Sequence, residues 1–188
     1  MGLIIIFEGA NGVGKTTYIE RLGELLGVKS FRAFKEIKDS CKASGTRCYG
    51  AMDEFGVPIN THVEDFFIAD FLMGFDVDVI LDRSLPSAIV YGTLSGSEDR
   101  AMVMLRYWEK MLQKASQNRI LYVWLKASYD VAKQRTKGRW CPNKTEYNKL
   151  EYNYEKMFQQ IKLPKVQINT TAIKPSVGIK IICQSLKK

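Results

Sequence analysis

The chain has 188 residues, 46% of them hydrophobic, and a formal net charge of +8 at pH 7. That length fits one domain with a sizeable core, and the hydrophobic share excludes a disordered or fibrous chain. No stretch reaches the roughly 18 apolar residues of a membrane-spanning helix, and four cysteines without a C-x-x-C pair, beside the single histidine His62, indicate reduced thiols and not a zinc site.

In chain order, Leu3 to Phe7 is a short run rich in β-branched residues, as expected of a buried parallel strand. It enters Gly9-Ala10-Asn11-Gly12-Val13-Gly14-Lys15-Thr16-Thr17, the full pattern of a P-loop. A triphosphate has to be held without side-chain bulk in its way. Gly9, Gly12 and Gly14 let the backbone turn sharply and aim N–H groups at phosphate oxygens, and the helix that follows adds the positive end of its dipole. Asn11, Val13 and Thr17 complete the cradle for ATP. Lys15 is placed to reach the β and γ phosphates, and the Thr16 hydroxyl to ligate Mg²⁺. Ile19, Leu22, Leu25 and Leu26 share one face of a helix predicted over 15–26, with Gly27 at its stop.

A strand is predicted over 28–34. Residues 36–58, rich in charge and glycine, read as irregular structure or a short helix, and 62–73 as a helix. The next strand, 77–82, ends in Asp82-Arg83-Ser84, followed by Pro86, Ser87 and Tyr91-Gly92. An acid leaving a buried strand beside a P-loop can hold Mg²⁺ through its water shell, and Arg83 offers a fork for an acceptor phosphate or hydroxyl. A helix over 99–117, a strand over 119–125 and a helix over 128–137 follow. Arg135, Lys137 and Arg139 leave that helix into a lid near 135–145, where arginines would close over the transferring group and exclude water. A helix over 145–161, a strand over 165–169 and a helix over 175–186 finish the chain. Strand alternating with helix predicts an α/β P-loop NTPase, one domain over 1–188, with a parallel five-stranded sheet covered on both faces as an α/β/α sandwich. Ligands then bind beyond the carboxyl ends of the strands.

These motifs resemble the thymidylate kinase family and, more distantly, the deoxynucleoside kinases. The matching text is FEGANGVGKTT, DRSLPSAIVYG, the A-x-x-R-x-x-x-R of Ala132, Arg135 and Arg139, and KVQINTTAIKPSVGIKIICQS at 165–185. The resemblance implies ATP on residues 12–17, Mg²⁺ near Thr16 and Asp82, and Arg135 and Arg139 over the transferring group. It also implies Arg32 and Arg83 on the acceptor phosphate, Phe67 stacked on the acceptor base, and Ser87 and Tyr91 beside base and sugar. The family often dimerises through helices flanking the third strand, where Phe66, Met73, Met102 and Leu105 fall, although plain core packing explains these residues more simply. Several positions depart from the pattern. Asn11 stands where a P-loop carboxylate is common, Phe71 where an arginine lies near the base, Gly92 where a side-chain amide lies, and Ser84 in place of an aromatic.

A nucleoside acceptor needs a general base for its 5′-hydroxyl, yet Arg32-Ala33-Phe34-Lys35 carries no carboxylate before Glu36. A monophosphate is already an anion and needs cations, which Arg32, Arg83 and Lys35 could supply. The residues therefore favour a kinase of deoxynucleoside monophosphates, with dTMP or a related pyrimidine as acceptor. A deoxynucleoside kinase remains the alternative, and so does a P-loop kinase or ATPase acting on nucleic acid, given the +8 charge. No aromatic-basic stripe supports the nucleic-acid reading. With neither a secretory leader nor a myristoylation signal at MGLIIIF, the chain is expected to be soluble and cytoplasmic, with no membrane partner.

Overall fold

The computed structural model describes residues 2–31, 78–92, 98–116, 119–136 and 141–186. Among them run β1 (Ile4–Glu8), α1 (Lys15–Leu26), β2 (Lys29–Phe31), β3 (Val79–Asp82), α2 (Leu85–Gly92), α3 (Glu98–Ser116), β4 (Ile120–Lys126), α4 (Tyr129–Thr136), α5 (Lys144–Gln160), β5 (Lys165–Asn169) and α6 (Pro175–Ser185). The five strands form one parallel sheet in the order β2-β3-β1-β4-β5. β1 lies at its centre and is buried along its whole length, which is why its sequence is continuously apolar up to Glu8.

Side chains alternate across a strand, so β1 feeds two separate cores. Ile4 and Ile6 point into a layer with Leu81, Tyr122 and Trp124, closed by Leu85 and Ile89 of α2, Leu105 and Trp108 of α3, and Leu150 and Tyr154 of α5. Ile5 and Phe7 point the other way, into a layer with Val123, Leu125 and Ile168 that is closed by Ile19 and Leu22 of α1 and Ile182 of α6. By the same alternation Glu8 falls on the first face, a carboxylate in an apolar layer.

Helix ends follow local chemistry. α1 stops at Gly27, whose left-handed conformation (φ 66°) lets its N–H reach the Gly23 carbonyl. α5 starts in a capping box, with Asn143 accepting from Glu146 N at 2.9 Å and Glu146 accepting from Asn143 N at 3.0 Å. α2 is the one described helix absent from the sequence reading. Its apolar run LPSAIVYG has no amphipathic period because Leu85, Pro86, Ser87, Ile89 and Val90 are all buried, and Pro86 sits in the first turn, where a missing N–H costs nothing.

The remaining predicted elements agree within one or two residues. The predicted strand over 28–34 is described only as far as Phe31, and its remainder, the 36–58 stretch and the 62–73 helix lie outside the described residues. Leu105, considered above for a dimer face, is buried in the core, while Phe66 and Met73 are outside the described residues. Cys141 and Cys183 are free thiols. Among the described residues no helix is long and apolar enough to cross a membrane.

Candidate functional site

The P-loop turns out of β1 through three glycines with positive φ, namely Gly9 at 135°, Gly12 at 82° and Gly14 at 94°. At Gly12 the requirement is steric as well as conformational. A Cβ there would lie 2.2 Å from the Ala132 carbonyl oxygen, so only glycine lets the loop rest on α4. Lys15, the first residue of α1, folds back over this loop. Its Nζ donates to the carbonyls of Gly9 (2.8 Å) and Ala10 (2.9 Å). Burial, and after it the nearby Arg83 guanidinium, push its pKa down, so an incoming anion would restore the balance of charge.

A cavity of about 690 Å³ opens over the loop, within the range of small-ligand sites. Residues 11–18 form one wall, Asp82 and Arg83 at the end of β3 a second, Arg135 and Thr136 at the end of α4 a third, and Thr170, Ile173 and Pro175 after β5 a fourth. The sheet thus gathers Asn11, Gly12, Val13, Gly14, Lys15, Thr16, Thr17, Asp82, Arg83 and Arg135 around one space. Arg32, Phe67 and Arg139 lie outside the described residues.

Arg83 adopts a left-handed backbone (φ 72°) and its N–H donates to the Phe7 carbonyl at 2.9 Å. Its guanidinium is tied on both terminal nitrogens. Nη1 donates to Ser87 Oγ (3.1 Å) and Tyr154 Oη (2.9 Å), and Nη2 to Asn11 Oδ1 (2.9 Å) and Tyr91 Oη (3.3 Å). The guanidinium carbon also stands 5.1 Å from the centre of the Tyr91 ring. Burial alone would lower the Arg83 pKa, but the phenols of Tyr154 and Tyr91 and the Glu8 carboxylate outweigh it, and the net shift is upward. Ser87 and Tyr91 therefore sit around Arg83, and the Ser87 side chain is buried.

Behind Arg83 lies Glu8, with no exposed surface. One carboxylate oxygen accepts from the Ser84 N–H at 2.8 Å and the other from the Ser87 hydroxyl. Burial raises its pKa to about 7, against the pull of Ser87, Arg83, the Ser84 amide and Lys15. Across the cavity, Arg135 lies in the last turn of α4, and residues 137–140 of the expected lid lie outside the described residues. Its Nη1 donates to Thr170 Oγ1 (2.9 Å) and its Nη2 to the Thr170 carbonyl (3.0 Å). The Thr170 hydroxyl in turn lies 2.9 Å from the Val13 carbonyl of the P-loop.

The sequence reading does not single out Glu8, Tyr154, Thr170 or Glu151. Glu151, on α5, has its pKa raised to about 7, chiefly by burial and against the attraction of Lys126 and Lys15; one of its oxygens is buried with no hydrogen-bond partner among the described residues. A signal for Glu8 exists, because a carboxylate stands at an inward position of an apolar strand. Tyr154 shares the spacing of Tyr147, Leu150 and Met157 and reads only as core, and nothing in the local pattern marks Thr170.

Among the described residues no group of three or more His, Cys, Asp or Glu could hold a metal ion. Thr16 and Asp82 nevertheless line the same cavity, and a hydroxyl with one carboxylate suits Mg²⁺, which keeps several waters and takes few protein ligands.

No family model matches this chain, and no curated protein matches it in sequence. Solved structures do. The YorR protein of Bacillus subtilis, in complex with phosphorylated GDP, superposes with a TM-score of 0.68 at 19% identity, over 98% of this chain and 95% of that one. Deoxyadenosine kinase from M. mycoides with bound dATP gives 0.63 at 16% identity, over 99% and 100%. Shikimate kinase from Aquifex aeolicus gives 0.57 at 17% identity, over 98% and 96%. At such low identity these likenesses speak for architecture alone, and with the parallel sheet and glycine loop described above they make the chain an α/β protein of the P-loop NTPase fold.

Proposed function

We propose that the chain is a P-loop kinase that transfers the γ-phosphoryl group of ATP to a deoxynucleoside monophosphate, with dTMP or a related pyrimidine nucleotide as the first candidate. The observation that carries this reading is the convergence of the P-loop, the Asp82-Arg83 pair and Arg135 on one cavity at the carboxyl ends of the strands. The likeness to nucleotide-bound structures, including those of deoxyadenosine kinase with dATP and with dCTP, supports the coarser part of this reading, a P-loop kinase that binds nucleotides.

On this reading the P-loop amides and Lys15 hold the ATP phosphates, while Thr170, Ile173 and Pro175 border the space left for the base. Thr16 and Asp82 would hold Mg²⁺, which supplies charge neutralisation to the phosphate oxygens. Arg83 faces the acceptor anion, and Arg135 stabilises charge on the group in flight. Positioning and electrostatics supply the rate, since phosphoryl transfer asks little covalent chemistry of the protein. A monophosphate acceptor is favoured because Glu8, the carboxylate behind Arg83, is sealed from the cavity and spent on Ser84 and Ser87.

A second reading, a nucleoside acceptor, draws on the likeness to deoxyadenosine kinase and requires a general base for the 5′-hydroxyl. The test is ATP consumption with a panel of nucleosides, nucleoside monophosphates and an oligonucleotide. Turnover with deoxynucleoside monophosphates supports the proposal. Turnover with nucleosides alone moves the assignment to the second reading. Turnover only with the oligonucleotide, or ADP release that no acceptor accelerates, refutes both.

A further inference from the structure

We propose that Glu8 is a positioning residue for the acceptor side of the site, a buried carboxylate that fixes both the backbone and the guanidinium of Arg83. The proposal rests on the reading that Arg83 meets the acceptor anion.

Position 8 faces an apolar layer, where an isoleucine or leucine would continue the pattern of Ile4 and Ile6. A charge there is costly unless it is hydrogen-bonded and paired. Glu8 is hydrogen-bonded through both oxygens, with the charges of Arg83 and Lys15 nearby, and both residues it binds, Ser84 and Ser87, follow directly on Arg83. Two successive amides of that turn are fastened to two successive residues of β1. Arg83 N–H reaches the Phe7 carbonyl at 2.9 Å, and Ser84 N–H reaches the Glu8 carboxylate at 2.8 Å. Between these bonds Arg83 is held at φ 72°, a conformation that a residue with a Cβ keeps only where its surroundings over-determine it.

The second carboxylate oxygen governs the side chain. It accepts a hydrogen bond from the Ser87 hydroxyl, so the Ser87 oxygen turns its lone pairs outward. Arg83 Nη1 donates to that oxygen at 3.1 Å, and Tyr154 Oη lies 2.8 Å from it. Glu8 is faced by Lys15 from α1, Arg83 from the end of β3, Tyr122 from β4, Tyr154 from α5, and Ser84 and Ser87 from the start of α2. With an amide in place of the carboxylate, the Ser84 bond survives but an N–H group confronts the Ser87 hydroxyl. Ser87 then turns its proton toward Tyr154 and its oxygen is shared between the new amide and Arg83 Nη1, which loosens the Arg83 fork while the P-loop is untouched.

Glu8→Gln and Ser87→Ala test this, each compared with the unmodified protein at pH 8 by steady-state kinetics on the acceptor found in the panel, by thermal melting, and by the NMR line shape of the Arg83 guanidinium, assigned from its loss in Arg83→Lys. The expected result for both is an acceptor KM raised about tenfold or more, an ATP KM within about twofold and faster rotation of the guanidinium; Glu8→Gln also melts no lower than the parent, whereas Ser87→Ala, which strips a hydrogen bond from a buried carboxylate, melts lower. An unchanged acceptor KM with an unchanged line shape overturns the proposal. So does a parallel rise in both KM values with a lower melting temperature, which is what a merely structural residue would produce. If the parent protein phosphorylates nothing in the panel, the proposed function fails, and the guanidinium line shape still decides whether Glu8 orders Arg83.

Discussion

Replacing Glu8 by glutamine should stabilise the protein at alkaline pH, and the size of the effect follows from its burial. The carboxyl has a pKa of about 7 in the folded chain against 4.5 when unperturbed. A carboxyl whose folded pKa is raised binds more protons folded than unfolded, so its contribution to stability is greatest below about pH 4.5 and is lost as the pH rises through 7. The gap corresponds to about 3 kcal/mol at 1.36 kcal/mol per unit. Glutamine is neutral at every pH and keeps an acceptor for the Ser84 amide, so it escapes this cost. Against it stands the clash of donors at Ser87, about 1 kcal/mol for one hydrogen bond lost. The net gain at pH 8 is about 2 kcal/mol, or roughly 4–8 °C in Tm for a chain of this size. Circular dichroism melts of both proteins, without nucleotide, from pH 5 to 8.5 check it. The difference between the two curves is the readout, because Glu151 and every other titrating group remains in both. The glutamine variant should melt higher at pH 8 and lose that advantage toward pH 5. A variant that melts no higher than the parent at pH 8, with a difference that does not change with pH, refutes the charge-burial reasoning.

Lys15→Ala should lower kcat by about 10²–10³-fold or more, the scale of losing one charge aimed at the reacting group; thermal melting should show the fold retained, since among the described residues its Nζ bonds only loop carbonyls. Near-normal turnover at saturating ATP would remove Lys15 from the chemistry. Gly12→Ala meets the Ala132 carbonyl at 2.2 Å and a φ of 82°, and is expected to cost about 1–3 kcal/mol and to abolish the rise in melting temperature that ATP gives the parent.

The parts of this fold that are legible in sequence are those in which one residue type answers one physical demand. Gly9, Gly12 and Gly14 stand where the backbone needs positive φ, and β1 is continuously apolar because it is buried on both faces. Such positions can be read without neighbours. Arg83 is recognisable as a cation at a strand end, yet its four terminal bonds are not, since they join residues 11, 87, 91 and 154 and depend on how helices from distant parts of the chain pack. Helix α2 escapes a sequence reading because its buried residues 85, 86, 87, 89 and 90 follow one another with no polar face between them, which erases the helical period. Thr170 escapes it because its role, joining Arg135 to the Val13 carbonyl, exists only once the turn after β5 meets the P-loop. Arg135 reads as a residue of a closing loop, and the last turn of α4 places it already seated on that threonine.

The bonds of Arg83 also bear on how the two halves of the site communicate. Both terminal nitrogens are engaged by neutral oxygens, two of them, Ser87 and Tyr154, on buried side chains and two, Asn11 and Tyr91, on partly exposed ones. On the proposed function an acceptor phosphate that grips Arg83 by two parallel bonds displaces at least one of these partners, and the ion pair it makes with the guanidinium is stronger than the bond from that cation to a neutral oxygen. Asn11 is the partner whose release matters, because it lies within the P-loop itself, between the end of β1 at Glu8 and Lys15 at the start of α1. A carboxylate at position 11 would compete with the phosphate on equal electrostatic terms, and an amide does not. The Asn11 that departs from the thymidylate kinase pattern thus gives a fork that is held in place before the acceptor arrives and yields to it at small cost.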